Sequence, residues 1–370
     1  MELKKFKKIV KQGSMTMAMA VLLCLSASSP VGAQTQVGPY FPGVTQSGAT
    51  FFLPKTALRI SVLIEKTTYT PGTYASYAQR YLRLNKVSTE PSVDYRVVSI
   101  TQTPMAIADT TKAYSVKFNR KTSAINVALS DEGTLLALNA TPQRIAAPQR
   151  FQPARKPAPL NPQRYLNEEI LAAGSMSKMA QLTAQEIYDI RDNRNQLVKG
   201  QADFMPKDGT QMKLMLDQLD LQDRALTSLF AGVTERDTVE RIIVLCPHTD
   251  TSRELLFRFS EKLGLVDDDD LVGEPYYIQV KNLTVLPATD KAAEAKKKKM
   301  EDGLYYNVPG KMRSTIYKGN EQLISDEFPA PQFGKVELLS GELFNKHYGT
   351  RLWLNPLTGA IDKLEAEQPK

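Results

Sequence analysis

The sequence predicts an α+β fold in which β-rich N-terminal and C-terminal lobes, mainly antiparallel, flank a central antiparallel helical hairpin. Strand-like runs of β-branched and apolar residues occur towards both ends of the chain, and two long helical patterns lie near its middle. The regular alternation of strands and helices that is typical of parallel α/β folds does not occur. The predicted division of the 370 residues is a signal peptide (1–33), a flexible leader (34–55), an N-terminal β-rich lobe with one short helix (56–141), a proline- and arginine-rich linker (142–165), the helical hairpin (166–232) and a C-terminal β-rich lobe (233–370).

The first 33 residues have the three parts of a secretory signal peptide. Five lysines precede an apolar stretch, Met15–Leu25, and the small residues Val31-Gly32-Ala33 follow it. We therefore predict cleavage after Ala33 and export to the periplasm. The apolar stretch is shorter than the roughly 20 residues that a spanning helix needs, which favours cleavage over a retained membrane anchor. The sequence has no other apolar stretch that approaches this length, so we expect the mature protein to be soluble or peripheral to a membrane at most.

Cleavage after Ala33 changes both the cysteine count and the charge. A lipoprotein acylated on Cys24 is the alternative, but Leu22 and Leu23 are larger than the residues that its peptidase prefers. Without the signal peptide, Cys246 is the single cysteine and cannot form an internal disulfide. The net charge falls from +7 to +3, with 42 basic and 39 acidic residues remaining. The composition therefore does not favour a nucleic-acid partner.

The N-terminal lobe begins with a strand pattern over Ala57–Lys66. The next segment, Tyr74–Leu82, has tyrosines and apolar residues at helical spacing and predicts a short amphipathic helix. Further strands are predicted at Tyr95–Thr101, Ala113–Phe118, Ala124–Leu129 and Thr134–Asn139. Between Thr141 and Arg164 the chain then has six prolines and no acidic residue, which is typical of an extended linker or, alternatively, of a cationic tether.

The helical hairpin is predicted from two apolar stripes. One helix is expected over 167–198 and ends at Gly200, and a second is expected over 211–230 and ends at Gly232. Asp208 or Thr210 is available as the cap of the second helix. The C-terminal lobe is then predicted to contain strands at Val239–Cys246, Glu254–Phe259, Tyr276–Val280, Met312–Tyr317, Val336–Leu339 and Thr350–Leu354, with a late hairpin turn at Asn355–Gly359.

The most specific enzymatic pattern is Ser175-Met176-Ser177-Lys178, which matches the S-x-x-K of penicillin-binding serine acyltransferases. In those enzymes the serine lies at a helix start, whereas we predict Ser175 inside a helix. A K-T-G triplet is also missing from the sequence. We therefore predict no catalytic residues and a protein that is not an enzyme, and we keep an S-x-x-K acyl hydrolase as an alternative.

The sequence offers few metal ligands, and we predict no metal or other cofactor. His248 and His347 are the two histidines, and Cys246 with His248 would supply only half of a zinc site. The acidic run Asp267–Asp270 lacks the alternating spacing with which a calcium loop wraps its ion, so we expect a solvated loop.

Tyrosine is the residue type that favours a binding role, because it offers apolar area and a polar tip. The sequence has 15 tyrosines, and we take Tyr74, Tyr277 and Tyr306 as a candidate recognition surface. Packing of these side chains in cores is the alternative explanation.

Several segments together resemble a known family. They are Tyr69–Leu82, Glu168–Arg191, Gly200–Gly209, Leu226–Gly232, Arg258-Phe259-Ser260 and Gly273-Glu274-Pro275. The pattern resembles a family of exported Bacteroidota proteins, the domain of unknown function numbered 4831. The resemblance implies an envelope protein and provides no activity or catalytic residues.

These observations predict a non-catalytic periplasmic protein that is an accessory or binding component of a cell-envelope assembly. The expected partner is an envelope protein, and a carbohydrate- or peptidoglycan-binding module is the alternative.

Overall fold

The computed structural model describes residues 37–39, 48–117, 126–143, 146, 149–285, 303–344 and 349–367. In this part of the chain, every pairing between the named strands is antiparallel, and the strands form three sheets. A β-rich, antiparallel structure with a few helices is thus confirmed. The predicted signal peptide, including Cys24, lies outside the described residues.

The helices and strands have the following bounds. The helices are α1 (Ala78–Leu82), α2 (Glu168–Leu171), α3 (Met176–Lys199) and α4 (Gly209–Ala231). The strands are β1 (Val37–Pro39), β2 (Gly48–Thr70), β3 (Ser92–Lys117), β4 (Val127–Leu129), β5 (Leu135–Leu138), β6 (Val233–Leu245), β7 (Thr251–Ser260), β8 (Gly264–Val266), β9 (Glu274–Asn282), β10 (Gly303–Lys318), β11 (Glu321–Ser340), β12 (Gly349–Leu354) and β13 (Ile361–Glu367).

The first sheet has the order β1-β3-β2-β6 and is built on the long hairpin of β2 and β3. Residues 48–55 belong to β2, so the flexible leader predicted for 34–55 is wrong for these residues. Their strand forms because Phe51 and Leu53 are fully buried. Pro54 is tolerated because β6 pairs with β2 only from Leu58 onwards. At Pro54, β2 therefore has no hydrogen bond to β6 that the proline could remove.

A single strand, β3, replaces the two strands predicted at Tyr95–Thr101 and Ala113–Phe118. Pro104 lies between these two segments, and a proline inside a strand pattern predicts that the strand is interrupted. In the structure Pro104 pairs with Leu58 of β2, whereas β1 joins the other edge of β3 only at 114–116. The proline therefore removes no hydrogen bond to β1.

The second sheet has the order β11-β10-β9-β7-β8 and packs on the first sheet. One hydrophobic core, which we call the main core, lies between them, with Leu58, Ile60 and Val62 of β2 on one side. Ile278 of β9 and Met312 of β10 are on the other side and are also fully buried or nearly so. Alternation along these strands leaves the opposite face of the second sheet to solvent.

The third sheet, β13-β12-β5-β4, combines strands that lie before and after the helices in the chain. The same is true of the first sheet, in which β6 pairs with β2. A second core unites the start of β2 with β5, β10 and β12. Asn307 of β10 is buried beside this core, and its side-chain amide donates to the carbonyls of Pro54 (2.8 Å) and Thr358 (2.9 Å).

The helix predicted over 167–198 is two helices, α2 and α3, and the prediction that Ser175 lies inside a helix is wrong. Ser175 is the N-cap of α3, with an extended backbone, and its hydroxyl accepts a hydrogen bond from the Lys178 amide at 3.2 Å. Asn167 caps α2 in the same way. Because each of these two residues caps a helix, the segment forms two helices in succession. The spacing of the apolar residues alone does not show the break between them.

The remaining helix ends agree with the sequence. Gly200 ends α3 in a left-handed conformation, and Asp208 caps α4 by accepting from the Gln211 amide. Gly232 follows α4 with a φ of 76°. A side chain there would meet Tyr69 and the Thr70 carbonyl, so this glycine allows α4 to pass directly into β6.

A third core holds α1, α3 and α4 together. Ala180, Ile187, Leu226 and Phe230 are buried in it, and α1 contributes Leu82. Two ion pairs also join the long helices, Arg191 to Asp223 and Arg194 to Asp220. None of the helices in the described part of the chain is both long and apolar enough to cross a membrane.

Candidate binding site

The strand β6 is an edge of the first sheet. It pairs with β2 over Leu58–Thr70, and no other described strand pairs with it. Its sequence is rich in β-branched residues, which favour a strand, but several of them are not covered. Val239 is 63% exposed, Ile242 44% and Val244 55%. An unpaired edge with exposed apolar side chains is a surface that another polypeptide can use.

The exposed side chains of β6 lie on both faces of the strand. Val239 is paired with Ile64, whose face carries the main core, whereas Ile242 and Val244 are on the opposite, outer face. Val239 is on the face of β6 that bears this core but is not one of the side chains packed in it. Both sides of an added strand would therefore find apolar contacts.

A groove of about 660 Å³ lies beside Val239, and we call it the edge groove. Its walls are residues 237–241 of β6, the β8 region at Leu263–Leu265, and Pro153, Ala154 and Lys156. The last three belong to the linker predicted at 142–165, which we call the proline-rich segment. Its floor includes Ile64 of β2, and its volume is in the range of small-molecule and peptide pockets.

Two polar contacts attach the proline-rich segment to β6. The Phe151 amide donates to Glu240 Oε2 at 3.3 Å, and Lys156 forms an ion pair with Asp237. Hydrogen bonding to Asp237 raises the pKa of Lys156. Among the described residues, no hydrogen bond from backbone to backbone joins this segment to β6. The segment therefore lies beside the edge without completing the sheet.

Glu240 is the best-connected polar side chain of this region. Its Oε1 accepts from the Ser61 hydroxyl and from Arg59 Nη2, the latter at 3.0 Å. The hydrogen bond from Ser61 and the Arg59 charge hold the pKa of the Glu240 carboxyl below its usual value. The carboxylate is thus a charged acceptor that anchors the segment, not a proton donor at neutral pH.

The structure does not bring Tyr74, Tyr277 and Tyr306 together, so the candidate recognition surface is wrong as a single surface. Tyr74 is 2% exposed and packs on Phe230 in the helical core, at 5.3 Å between ring centroids. Tyr306 is half-buried on β10 and donates to Glu337 at 3.0 Å. Tyr277 is half-buried on β9, paired with Tyr317 of β10.

The other residues considered for chemistry also lie apart. Ser175 and Lys178 are exposed at the start of α3, and the Ser175 oxygen is used as a cap. Cys246 is half-buried, and desolvation raises the pKa of its thiol, which disfavours the reactive thiolate. The run 267–270 lies in the turn between β8 and β9. Within the described ranges, no three histidine, cysteine or acidic side chains gather as metal ligands.

A comparison with protein-family models matches residues 47–362 to a family described as a domain of unknown function, number 4831. The chain belongs to this family. The resemblance seen in the sequence is thereby confirmed over most of the chain. Comparisons with curated proteins and with solved structures find no match.

In this member of the domain of unknown function 4831 family, the segments that carried the resemblance contact one another in pairs. A side chain at Gly72 would lie 2.2 Å from the Leu229 carbonyl oxygen, and the Tyr74 amide donates to the same carbonyl at 2.6 Å. Arg258 donates to the Gly273 carbonyl at 3.1 Å. These contacts hold the end of α4 and the β8–β9 turn in place, so the segments that carry the resemblance have a structural role. None of them lines the edge groove.

Sequence reasoning placed Val239–Cys246 in a strand but did not identify β6 as an edge. The available signal was the mixture of charges and β-branched residues in Glu235–Val244, since edge strands commonly carry charges. In this family member, residues 237–241 of this stretch line the edge groove. Leu263, on the turn before β8, lay outside every predicted element and is found only by the fold.

Proposed function

We propose that this protein is a non-catalytic binding component of the cell envelope and that it takes an extended segment of a partner protein along β6. The observation that supports this proposal best is the second edge of β6, which pairs with none of the described strands and has apolar side chains exposed on both faces. In an antiparallel ladder, alternate residues direct their amide and carbonyl groups to one neighbour and the others to the opposite side. The outward groups of β6 are therefore available to an added strand.

The surroundings of β6 favour a peptide over a folded surface. The edge groove would receive alternate side chains of the added strand next to Val239, while the remaining side chains would lie over Ile242 and Val244. Main-chain hydrogen bonds would provide affinity, and the groove would provide selectivity. The location in the envelope follows from the signal-peptide pattern of residues 1–33 and is part of the proposal.

The experiment compares binding by three forms of the protein. A lysine in an edge strand opposes strand addition, so Val244→Lys is expected to abolish the interaction while the exposed position keeps the fold intact. Val98→Lys is the matched control, because Val98 on β3 is 48% exposed, does not line the edge groove and is separated from β6 by β2. Each form is used to capture partners from detergent-solubilised envelopes, and amide hydrogen exchange then maps the contact.

The expected result is a partner that the wild type and Val98→Lys retain and Val244→Lys loses, with slowed exchange in β6. Equal retention by all three forms, or slowed exchange that avoids β6, would overturn the proposed site. A protein that stays monomeric and captures no partner would contradict the proposed function.

A further inference from the structure

The outer face of the second sheet carries a second groove, of about 370 Å³, whose lining is polar. It is formed by side chains of β9, β10 and β11 that point away from the main core. We call it the polar face and define it by Gln279, Lys281, Arg313, Thr315, Tyr317 and Ser325. Strand register places these side chains in rows, with Arg313 beside Lys281 and Thr315 beside Gln279 and Ser325.

The hydrogen-bonding groups of the polar face are partly used and partly free. The Tyr317 hydroxyl donates to Gln279 Oε1 at 3.1 Å, which orients the Gln279 amide. No described residue accepts from the Gln279 amide nitrogen, so this donor is available to a ligand. The hydroxyls of Thr315 and Ser325 lie 3.1 Å apart and can each donate or accept. Closely spaced amides and hydroxyls of this kind suit a ligand with several hydroxyl groups.

The charge of the polar face is positive. Lys281 has no carboxylate partner among the described residues, and Arg313 is paired with Glu327 at 2.7 Å. Arg253 lies next to the groove, where its guanidinium is 4.9 Å from the centre of the Tyr317 ring and donates to Asn320. The two basic side chains that line the groove, together with the adjacent Arg253, outnumber Glu327, the carboxylate paired with Arg313, and this favours an anionic ligand.

We propose that the polar face binds an acidic saccharide. The carboxylate of a sugar acid would lie against Lys281 and Arg313, and the sugar hydroxyls would bond to Gln279 and Ser325. The groove is large enough for about one or two sugar rings, given that ligand pockets commonly span roughly 300–1,000 Å³. The site shares no residue with the edge groove and does not depend on the proposed function.

The test measures binding of tetragalacturonate to the folded protein by calorimetry and by NMR shift mapping. Maltotetraose is the neutral comparison, and inorganic phosphate is the comparison for a simple anion. We expect tetragalacturonate to bind more tightly than either comparison ligand and to shift the amides of β9 and β10. Lys281→Ala should weaken binding about tenfold or more, because it removes the unpaired cation.

Two further variants separate recognition from general charge. Gln279→Ala removes an uncharged donor and should also weaken tetragalacturonate binding. Lys213→Ala removes the same charge as Lys281→Ala from an exposed position on α4 and should leave binding unchanged. Absence of tetragalacturonate binding, equal binding of inorganic phosphate, or equal effects of Lys213→Ala and Lys281→Ala would overturn the proposal.

Discussion

At the scale of single residues, the polar side chains near β6 act as attachments between segments that are distant in sequence. Glu240 is the clearest example, because one carboxylate accepts from Arg59, from Ser61 and from the Phe151 amide. Ser61 is buried, so its hydroxyl depends on this partner. A charged acceptor with three donors is a stronger attachment than an isolated surface ion pair.

The lowered pKa of Glu240 predicts a pH-dependent attachment. The pKa of Glu240 is lower in the folded protein than its ordinary value of 4.5, so the ionised carboxylate stabilises the fold at neutral pH. This stabilisation is lost as the pH falls below 4.5 and through the lowered pKa of the folded protein. Glu240→Gln should therefore reduce stability at pH 7 and show a smaller further loss on acidification than the wild type. Denaturant unfolding at several pH values measures both effects.

The control for this prediction is Glu235→Gln, an exposed change on the same strand. It should follow the pH dependence of the wild type. If Glu240→Gln and the wild type lose stability in parallel below pH 5, Glu240 is not the titrating group.

At the scale of elements, capping decides where the helices begin. The apolar stripe of 167–198 runs through both α2 and α3, but Asn167 and Ser175 each accept a bond from an amide three residues later. The local hydrogen bond competes with continuation of the helix. Ser175 thus has a role that explains its place in the S-x-x-K pattern without chemistry.

This role predicts the effect of Ser175→Ala. Loss of the cap should lower the free energy of unfolding by about 1 kcal/mol, which is typical of an N-cap serine. Thermal or urea unfolding measures the change, and Ser175→Asp, which keeps a capping oxygen, should restore stability. The wild type should also remain unlabelled by a fluorescent penicillin, and labelling that Ser175→Ala abolishes would instead support a catalytic serine.

At the scale of the whole molecule, long strands link the separate cores. The start of β2 lies in the core shared with β5, β10 and β12, and the rest of β2 lies in the core between the first two sheets. Asn307 joins β10 to β2 and to the turn between β12 and β13. Such a junction couples parts of the chain that are more than 200 residues apart in sequence.

Asn307→Ala should therefore destabilise the whole protein. The change leaves the buried carbonyls of Pro54 and Thr358 without this donor, which costs about 1–3 kcal/mol for an unsatisfied buried group. Equilibrium unfolding with two probes, tyrosine fluorescence and far-UV circular dichroism, measures the loss. Asn195→Ala, on the exposed face of α3, should change stability by less than about 0.5 kcal/mol.

Much of the local structure was predictable from the sequence because it depends on neighbouring residues. Gly200 and Gly232 end their helices, Asp208 begins α4, and the turn at Asn355–Gly359 forms through the bond from the Gly359 amide to the Asn355 carbonyl. Each relies on contacts within a few residues. The lengths of the strands were less predictable. Pro54 and Pro104 are tolerated because no described strand pairs with the second edge of β2 or β3 at these positions, which depends on strand pairing that the local sequence does not show.

The sequence by itself determined the antiparallel, β-rich class, the family and most helix ends, since periodicity and capping are local properties of the chain. Only the tertiary structure decided which strands are neighbours. It placed Tyr74 in a core, made β6 an edge, and brought Leu263 and Pro153 to the same groove. The physical reason is that exposure and strand pairing depend on residues far apart in the chain, so a pattern such as that of β6 predicts a strand but not whether its second edge is covered.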